Sequence, residues 1–389
     1  MKIKTRYQIK LHVVTRGVGL LICALLFSTL VSCQGETPQR LLRIGLPEEP
    51  RTLNIWLASD ANSRKILTQI YQPLYVRHPE TLKLIPWLAA EDPIYDKEKI
   101  AYTVKLRKAK WADGSDFTAD DVVFTGEIIK EFKIPRYSSK WGAIKKIETP
   151  DDYTVIFYLK KPTAVFLSRA LTAPMVSRKE WETVAEDAKK KDKPLRSLQN
   201  YRVEKPLGTG PFVMKEYKRG AYLHMEKNPY FFGTGKHIGG HLLGPYIDGI
   251  LFKFYGTSDV AILALKKGNI DMFWWGLQPG YLDDLTRDAD VQVFHNQKSA
   301  LYYMGFNVRR PPFDDAVLRR AIATVIDKEF IISRILQGYG TVLHSVVPPG
   351  NTFWHNPQVP HYGDGLSHDQ RLKLAYDMLK AAGYSWWAS

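Results

Sequence analysis

Hydrophobic and polar residues recur along the chain with two periods, one typical of strands and the other of helices. Residues 101–107 alternate apolar and polar side chains as a half-buried strand does, and a compact apolar strand is predicted at 41–46. A Pro-Asp-Asp turn introduces another strand at 153–159. At 315–326 the apolar residues recur every three or four positions, which indicates an amphipathic helix. Because the two periods interleave, the pattern predicts an α/β body.

Capping residues mark where further helices begin and end. Thr118 can accept the backbone N–H three residues on, and Asp121 is placed as the acidic partner of a capping box. Ser367 predicts the start of a late helix, and Gly383 is its C-terminal stop. Two more helices are predicted, around 63–71 and over 328–337.

The N-terminus has the layout of a secretory signal. Five basic residues precede an uncharged run at 18–30, which is too short for the ~20 apolar residues that span a bilayer. The run ends in Leu30-Val31-Ser32-Cys33, which resembles the lipobox of bacterial lipoproteins. We therefore expect residues 1–32 to be a signal peptide and 33–40 a tether lipidated at Cys33. The alternative is an ordinary cleaved signal with an incidental cysteine.

Charge and cysteine content narrow the function classes. The chain carries a formal net charge of +15, and loss of the five basic residues of the signal would leave +10. The positive residues are scattered, and the dense run at 189–193 is predicted to be a solvated loop, so we expect no nucleic-acid partner. Cys33 would be the only cysteine of the mature chain, which excludes an internal disulfide.

Motifs for catalysis and metal binding are absent from the sequence. It contains no Gly-x-Ser-x-Gly, no Walker loop and no mature cysteine nucleophile, so we expect neither an enzyme nor a cofactor. His237 and His241 have the spacing of helical metal ligands, but the two glycines between them favour a loop, and no metal site is predicted. Four further histidines lie in a Pro- and Gly-rich region: His344, His355, His361 and His368. Because of them, a metal complex stays an alternative ligand for this protein.

Several segments, taken in order, resemble the large family 5 of bacterial extracellular solute-binding proteins, which serve peptide and nickel ABC importers. These segments are YTVKLR at 102–107, WADGS at 111–115, FTADDVVF at 117–124, GTGPF at 208–212, KGNID at 267–271, FN at 306–307, PFDD at 312–315 and RRA at 319–321. The resemblance covers roughly residues 41–384.

The resemblance implies the fold and its division. The family has a two-lobed periplasmic-binding-protein-like II (cluster C) fold with an extra subdomain. Lobe I would comprise residues 41–74 and 178–256, the inserted subdomain 75–177, and lobe II 257–389. Relatives continue well past the helix that matches 367–382, so the resemblance implies a truncated lobe II. The missing part carries the acidic residue that pairs with a peptide's amino group in peptide binders. A shortened variant that closes its cleft differently is the alternative.

The function implied is that of an exported, lipid-anchored and monomeric binding protein. It would capture oligopeptides or a similar small solute in an interlobe cleft and deliver them to an ABC permease. The alternatives are an oligosaccharide or nickel-complex receptor of the same family, and a truncated lipoprotein without a transport role.

A cleft that binds extended ligands needs aromatic walls and a few polar groups. Trp274 and Trp275 stand at a predicted strand end, where adjacent side chains point to opposite faces, so at most one is expected to meet the ligand. Core packing is the alternative for both. Four further candidates are Asn54, Asn307, Tyr71 and Trp141. For the two asparagines, hydrogen bonding to a local turn is the alternative.

Overall fold

The computed structural model describes residues 40–294, 301–351 and 353–385. Cys33 and the predicted signal peptide lie outside the described residues, as does the C-terminal tetrapeptide. Tertiary contacts divide the chain into two units, one ending at Trp275 and the other beginning at Gly276. Within the described ranges, no helix combines the length and apolar character needed to cross a membrane.

The first unit mixes strands and helices throughout. Its strands are β1 (Leu41–Leu46), β2 (Tyr75–Arg77), β3 (Leu84–Pro86), β4 (Ile94–Asp96), β5 (Ala101–Lys105), β6 (Ile144–Asp151), β7 (Thr154–Leu159), β8 (Phe212–Lys218), β9 (Tyr222–Lys227), β10 (His237–Ile238), β11 (His241–Leu242), β12 (Gly249–Phe254) and β13 (Met272–Phe273). Its helices are α1 (Ala61–Leu67), α2 (Ala119–Glu131), α3 (Ser138–Trp141), α4 (Phe166–Arg169), α5 (Arg178–Lys189), α6 (Pro194–Asn200) and α7 (Ser258–Lys266).

A five-stranded mixed sheet, in the order β13-β1-β12-β9-β8, forms the centre of the first unit. The predicted strand at 41–46 is confirmed as β1, which runs parallel to both β12 and β13. Arg43 of β1 makes a two-pronged contact with Asp271, through Nε to Oδ2 at 3.0 Å and Nη2 to Oδ1 at 2.5 Å. This pairing holds the short strand β13 in register, because each guanidinium prong meets its own carboxylate oxygen.

A four-stranded antiparallel sheet, in the order β4-β5-β7-β6, lies within the predicted inserted subdomain. The predicted strands at 101–107 and 153–159 are confirmed as β5 and β7, each shorter at one end. Helix α2 begins after Thr118, and both reciprocal hydrogen bonds of the predicted capping box with Asp121 are present. The local sequence specifies these elements because alternation and capping chemistry act within a few residues.

Aromatic side chains dominate the core of the first unit. Trp111, Trp141 and Trp181 are all fully buried. Trp181 also meets the Trp56 ring edge-on, with the ring centroids 5.8 Å apart. Burial of such large side chains supplies the main favourable free energy of folding, so this core makes the first unit the scaffold that positions the site.

The regular secondary structure of the second unit is helical among its described residues, and the rest of them form turns and loops. Its helices are α8 (Pro279–Arg287), α9 (Ala316–Val325), α10 (Lys328–Phe330) and α11 (His368–Ala381), with a π-helical turn at Ile331–Ile335. Ser367 caps α11, as predicted. The helix predicted at 315–326 is confirmed as α9, and Asp315 is its N-cap. The helix predicted at 328–337 is wrong as one α-helix, because α10 passes at once into the wider π turn.

The contacts also group α7 and β13 with the first unit, whereas the resemblance implied that lobe II begins at residue 257. Strand β13 extends the central sheet beyond β1. Helix α7 packs against β1 and β13. The position of the lobe boundary stays a prediction of the resemblance.

Candidate functional site

The carboxyl ends of three parallel strands meet at one edge of the central sheet. Strand β1 ends at Leu46, β12 at Phe254 and β13 at Phe273. In open α/β sheets, ligands bind in the crevice outside the carboxyl ends of such strands. We therefore take this edge of the first unit as its candidate binding site.

Trp274 and Trp275 follow β13 directly at this edge. The Trp274 backbone N–H donates to the Gly45 carbonyl at 3.2 Å, which continues the sheet by one bond. Its ring stacks on Phe252, with the centroids 6.4 Å apart and the planes 22° apart. Both tryptophan side chains are partly buried. Trp274 thus packs partly into the core, and Trp275, the next residue, adds a second partly exposed aromatic ring at this edge.

Both rings converge on the ammonium of Lys65, which lies in α1. Its Nζ is 5.0 Å from the Trp274 ring centroid and 4.5 Å from that of Trp275, and it also donates to the Trp274 carbonyl. The prediction that adjacent side chains would point to opposite faces is wrong here, because β13 ends at Phe273 and strand geometry no longer applies. Each cation–π contact contributes ~0.5–2 kcal/mol, so Lys65 holds the two rings together.

Sequence reasoning did not find Lys65. Lysines are common on exposed helix faces, and nothing near residue 65 indicates an aromatic partner. The partner lies 209 positions along the chain. Only the packing of α1 beside β13 brings the ammonium to the rings.

Two acidic residues follow β1 at the same edge. Glu48 is exposed. Glu49 accepts hydrogen bonds from the Gly220 backbone N–H at 2.9 Å and from the Tyr217 hydroxyl at 2.7 Å. The hydrogen bond from the Gly220 N–H, and to a smaller extent the one from the Tyr217 hydroxyl, holds the pKa of Glu49 below its ordinary value. The edge therefore combines aromatic rings with charges of both signs.

A shallow depression of about 270 Å³ opens at the same edge. Its lining residues are Pro47, Glu48, Glu49, Gly220, Phe254 and Gly256. The depression places the two carboxylates beside the ends of β1 and β12.

Asn54 lies elsewhere in the first unit, and its amide is fully engaged by the protein. Nδ2 donates to the carbonyls of Leu198 at 2.9 Å and Tyr201 at 3.0 Å, and Oδ1 accepts from the Trp56 backbone N–H. The side chain is 1% exposed. Asn54 thus makes the local turn contact that was the alternative from the sequence, to Trp56, and it also binds backbone carbonyls 144 and 147 positions away.

Tyr71 and Trp141 are also core residues rather than surfaces of the candidate site. The Tyr71 hydroxyl is 3.3 Å from both carboxylate oxygens of Glu180. Trp141 is fully buried, and its Nε1 donates to the Ala170 carbonyl at 3.1 Å. Neither aromatic ring presents a free face to a ligand in this structure, because core neighbours already surround it.

Asn307 belongs to the second unit and is exposed. Its Oδ1 accepts the Arg309 backbone N–H at 3.2 Å, which is the hydrogen bond of a local turn. Of the six candidates, the structure thus brings together only Trp274 and Trp275, and it adds Lys65 to them.

The histidine candidates divide between the two units. His237 and His241 lie on β10 and β11, the strands of a small hairpin, so their spacing is not helical. His344 and His361 converge in the second unit, where Asp364 joins them. The sequence placed these two histidines in one irregular region without predicting that they meet.

Comparison with known proteins identifies the family. The model for bacterial extracellular solute-binding proteins, family 5 Middle, matches residues 83–388. The oligopeptide-binding protein AppA of Bacillus subtilis is 28% identical over 88% of this chain and 59% of its own length. The dipeptide-binding protein of Escherichia coli is 27% identical over 91% of this chain and 63% of its own length. This chain thus spans about three fifths of each of these two relatives.

Solved structures confirm the predicted α/β fold class. AppA from Bacillus subtilis in complex with a nonapeptide matches with a TM-score of 0.69 at 26% identity, covering 90% of this chain and 65% of that one. NikZ from Campylobacter jejuni in complex with Ni(L-His) shares the fold with a TM-score of 0.68 at 23% identity, covering 90% of this chain and 64% of that one. Together with the family match over most of the chain, these findings identify the family: the chain belongs to family 5 of the bacterial extracellular solute-binding proteins.

Proposed function

We propose that this chain is the substrate-binding component of an ABC importer and that it captures oligopeptides at the edge formed by β1, β12 and β13. The observation that carries the proposal is the convergence of Trp274, Trp275 and Lys65 at the carboxyl ends of parallel strands. The peptide-binding relatives support the ligand class. No covalent chemistry is involved.

The chemistry of the edge suits a peptide. Apolar side chains of an extended ligand pack on the exposed part of the Trp275 ring, and peptide groups bind the backbone at the strand ends. Glu48 adds an exposed carboxylate that can pair with an ammonium group. Such a surface binds many peptide sequences, because main-chain pairing and aromatic contact depend little on side-chain identity.

Native mass spectrometry of the full chain, purified without added ligand, tests the ligand class. We expect a compact species that carries a series of peptide masses and releases them on mild activation. A single sugar or metal-complex adduct would contradict the peptide proposal and favour the other receptor types. Highly charged, ligand-free ions would contradict a binding role for this chain on its own.

We further propose that the protein is exported and anchored by lipid on Cys33. The support is the basic leader, the short apolar run and the tetrapeptide that ends in Cys33. Stable anchoring takes two or more acyl chains, since each buried CH₂ contributes ~0.8 kcal/mol. Cells grown with labelled palmitate should label the wild-type chain and not the Cys33→Ser variant. Equal labelling of both, or none of the wild type, would contradict the anchor.

A further inference from the structure

Two histidines and one aspartate of the second unit converge on one point. The His344 Nε2 and the His361 Nδ1 each lie 3.3 Å from the same oxygen, Oδ2 of Asp364. The imidazole rings are stacked, with centroids 3.6 Å apart and planes 12° apart. One donor atom from each of positions 344, 361 and 364 therefore lies close to the other two.

The spacing of these donors matches a tetrahedral metal site. Zinc binds histidine nitrogen and carboxylate oxygen at about 2.0–2.2 Å, and tetrahedral angles then place neighbouring donors about 3.3 Å apart. Both nitrogen–oxygen separations have this value. One donor atom from each of the three residues lies within 4.8 Å of the other two. An imidazole nitrogen binds a metal ion in the plane of its ring, so the two stacked rings must rotate apart for one ion to contact all three residues.

The donor set selects the class of ion. Two imidazoles and one carboxylate suit borderline ions such as Zn²⁺ and Ni²⁺, whereas Ca²⁺ and Mg²⁺ prefer oxygen ligands alone. The side chains of His344, His361 and Asp364 are 21%, 45% and 28% exposed. The ion can thus enter from solvent, and water completes its coordination.

The backbone beneath Asp364 is held in place. Gly363 has φ +75°, and a Cβ there would lie 2.3 Å from the Thr324 carbonyl oxygen, so only glycine fits this turn. Arg371 is 2% exposed, and its Nε donates to the Leu366 carbonyl at 3.0 Å. The carboxylate is therefore presented by an ordered turn next to α9.

Lys328 is the group that competes with a metal ion. Its Nζ lies 3.1 Å from the His344 Nδ1 and 3.5 Å from the Asp364 Oδ1. Metal binding through Nε2 requires a proton on Nδ1, so the ammonium must turn towards Asp364 when an ion binds. The flexible lysine stem permits this movement, at a cost in affinity from the nearby positive charge.

We propose that His344, His361 and Asp364 form a binding site for one divalent transition-metal ion, represented by Zn²⁺. The ion joins the two separate segments that carry the histidines and thereby stabilises the second unit. This proposal does not depend on the proposed function, because the site binds the ion itself rather than a transported solute.

Titration of the EDTA-treated full chain with Zn²⁺, followed by calorimetry and thermal unfolding, tests the site. We expect one ion per chain with micromolar or tighter affinity, together with a rise in Tm, because binding to the native state stabilises it. His344→Ala and His361→Ala should each weaken binding at least about tenfold. His368→Ala is the matched control, since this exposed histidine is four positions after Asp364 in the chain but does not belong to the cluster, and it should leave binding unchanged.

A further variant distinguishes loss of the metal site from loss of folding, because it is expected to strengthen binding. Lys328→Met keeps all three donors and removes the competing ammonium, so it should bind Zn²⁺ several-fold more tightly than the wild type. The proposal is overturned if the wild type binds no Zn²⁺ at micromolar concentration. It is also overturned if the two histidine variants bind as the wild type does, if His368→Ala weakens binding equally, or if Lys328→Met weakens it.

Discussion

The Tyr71 hydroxyl lies 3.3 Å from both carboxylate oxygens of Glu180, in the interior of the first unit. Glu180 also accepts the Leu207 backbone N–H at 3.1 Å. Burial nevertheless raises the pKa of this carboxyl to about 7, since the two hydrogen bonds only partly offset the loss of solvent. Glu180 thus joins α5 to the segment after α1 through a group that titrates near neutral pH.

The raised pKa of Glu180 predicts a pH-dependent free energy of unfolding. The folded chain holds this proton up to about pH 7, whereas an unfolded glutamate releases it near 4.5. Stability is therefore fully present below pH 4.5 and is lost as the pH rises through 7. Between pH 5 and 8 the free energy of unfolding of the wild type should fall by about 2–3 kcal/mol through this group. Glu180→Gln should not show this fall. Denaturant unfolding of both proteins at several pH values measures it, and parallel profiles would contradict the prediction.

Asp121 is predicted to be far more important for stability than its neighbour Asp120. Asp121 accepts from the Trp111 Nε1 and the Thr118 N–H at 3.1 Å each, and from the Arg178 N–H at 3.0 Å. Asp121→Ala should cost about 3 kcal/mol, because it leaves three donors unpaired.

The matched control for Asp121 is Asp120→Ala. Asp120 is exposed and forms a surface ion pair with Arg178, so its loss should cost less than about 1 kcal/mol. Urea unfolding of both variants checks the contrast. Equal losses would mean that the acidic pair acts through surface charge rather than through the buried hydrogen bonds.

Gly126→Ala should destabilise the first unit even though alanine favours helices. A Cβ at Gly126 in α2 would lie 2.7 Å from the Trp141 Cζ3. We expect a loss of about 1–3 kcal/mol from overpacking in thermal or urea unfolding. Gly280→Ala in α8 is the control, because a Cβ there meets no atom within 4 Å. It should leave the free energy of unfolding unchanged or raise it by no more than about 1 kcal/mol. A stabilised Gly126→Ala variant would contradict this packing.

Alanine variants of Trp274 and Trp275 should differ in effect, the first lowering stability and the second weakening ligand binding. Trp274→Ala removes the ring stacked on Phe252 and should cost about 1–3 kcal/mol. Trp275→Ala should cost less than about 1 kcal/mol and weaken peptide binding at least about tenfold. Unfolding curves and peptide titrations measure the two effects.

The control for the tryptophan variants is Tyr246→Ala, since Tyr246 is 62% exposed and is not among the residues placed at the candidate edge. It should change neither peptide affinity nor stability appreciably. Unchanged peptide affinity in Trp275→Ala would remove this ring from the proposed site.

The elements predicted correctly from the sequence depend on local chemistry. Alternation in 101–107 and the apolar run in 41–46 predicted β5 and β1, and Thr118 and Ser367 predicted two helix starts. These signals act within one turn or one strand, so a single sequence carries them. The family was likewise predictable, because its motifs are short and ordered along the chain.

The tertiary structure decided which candidate side chains meet. Trp141 and Trp275 are both tryptophans followed by a glycine, yet packing buries the first and brings the second to Lys65. His344 and His361 converge on Asp364 only through the path of an irregular segment. The sequence by itself thus determined the elements and the family, because periodicity and caps are local. Burial and long-range contacts required the folded chain, since they depend on residues up to 228 positions apart.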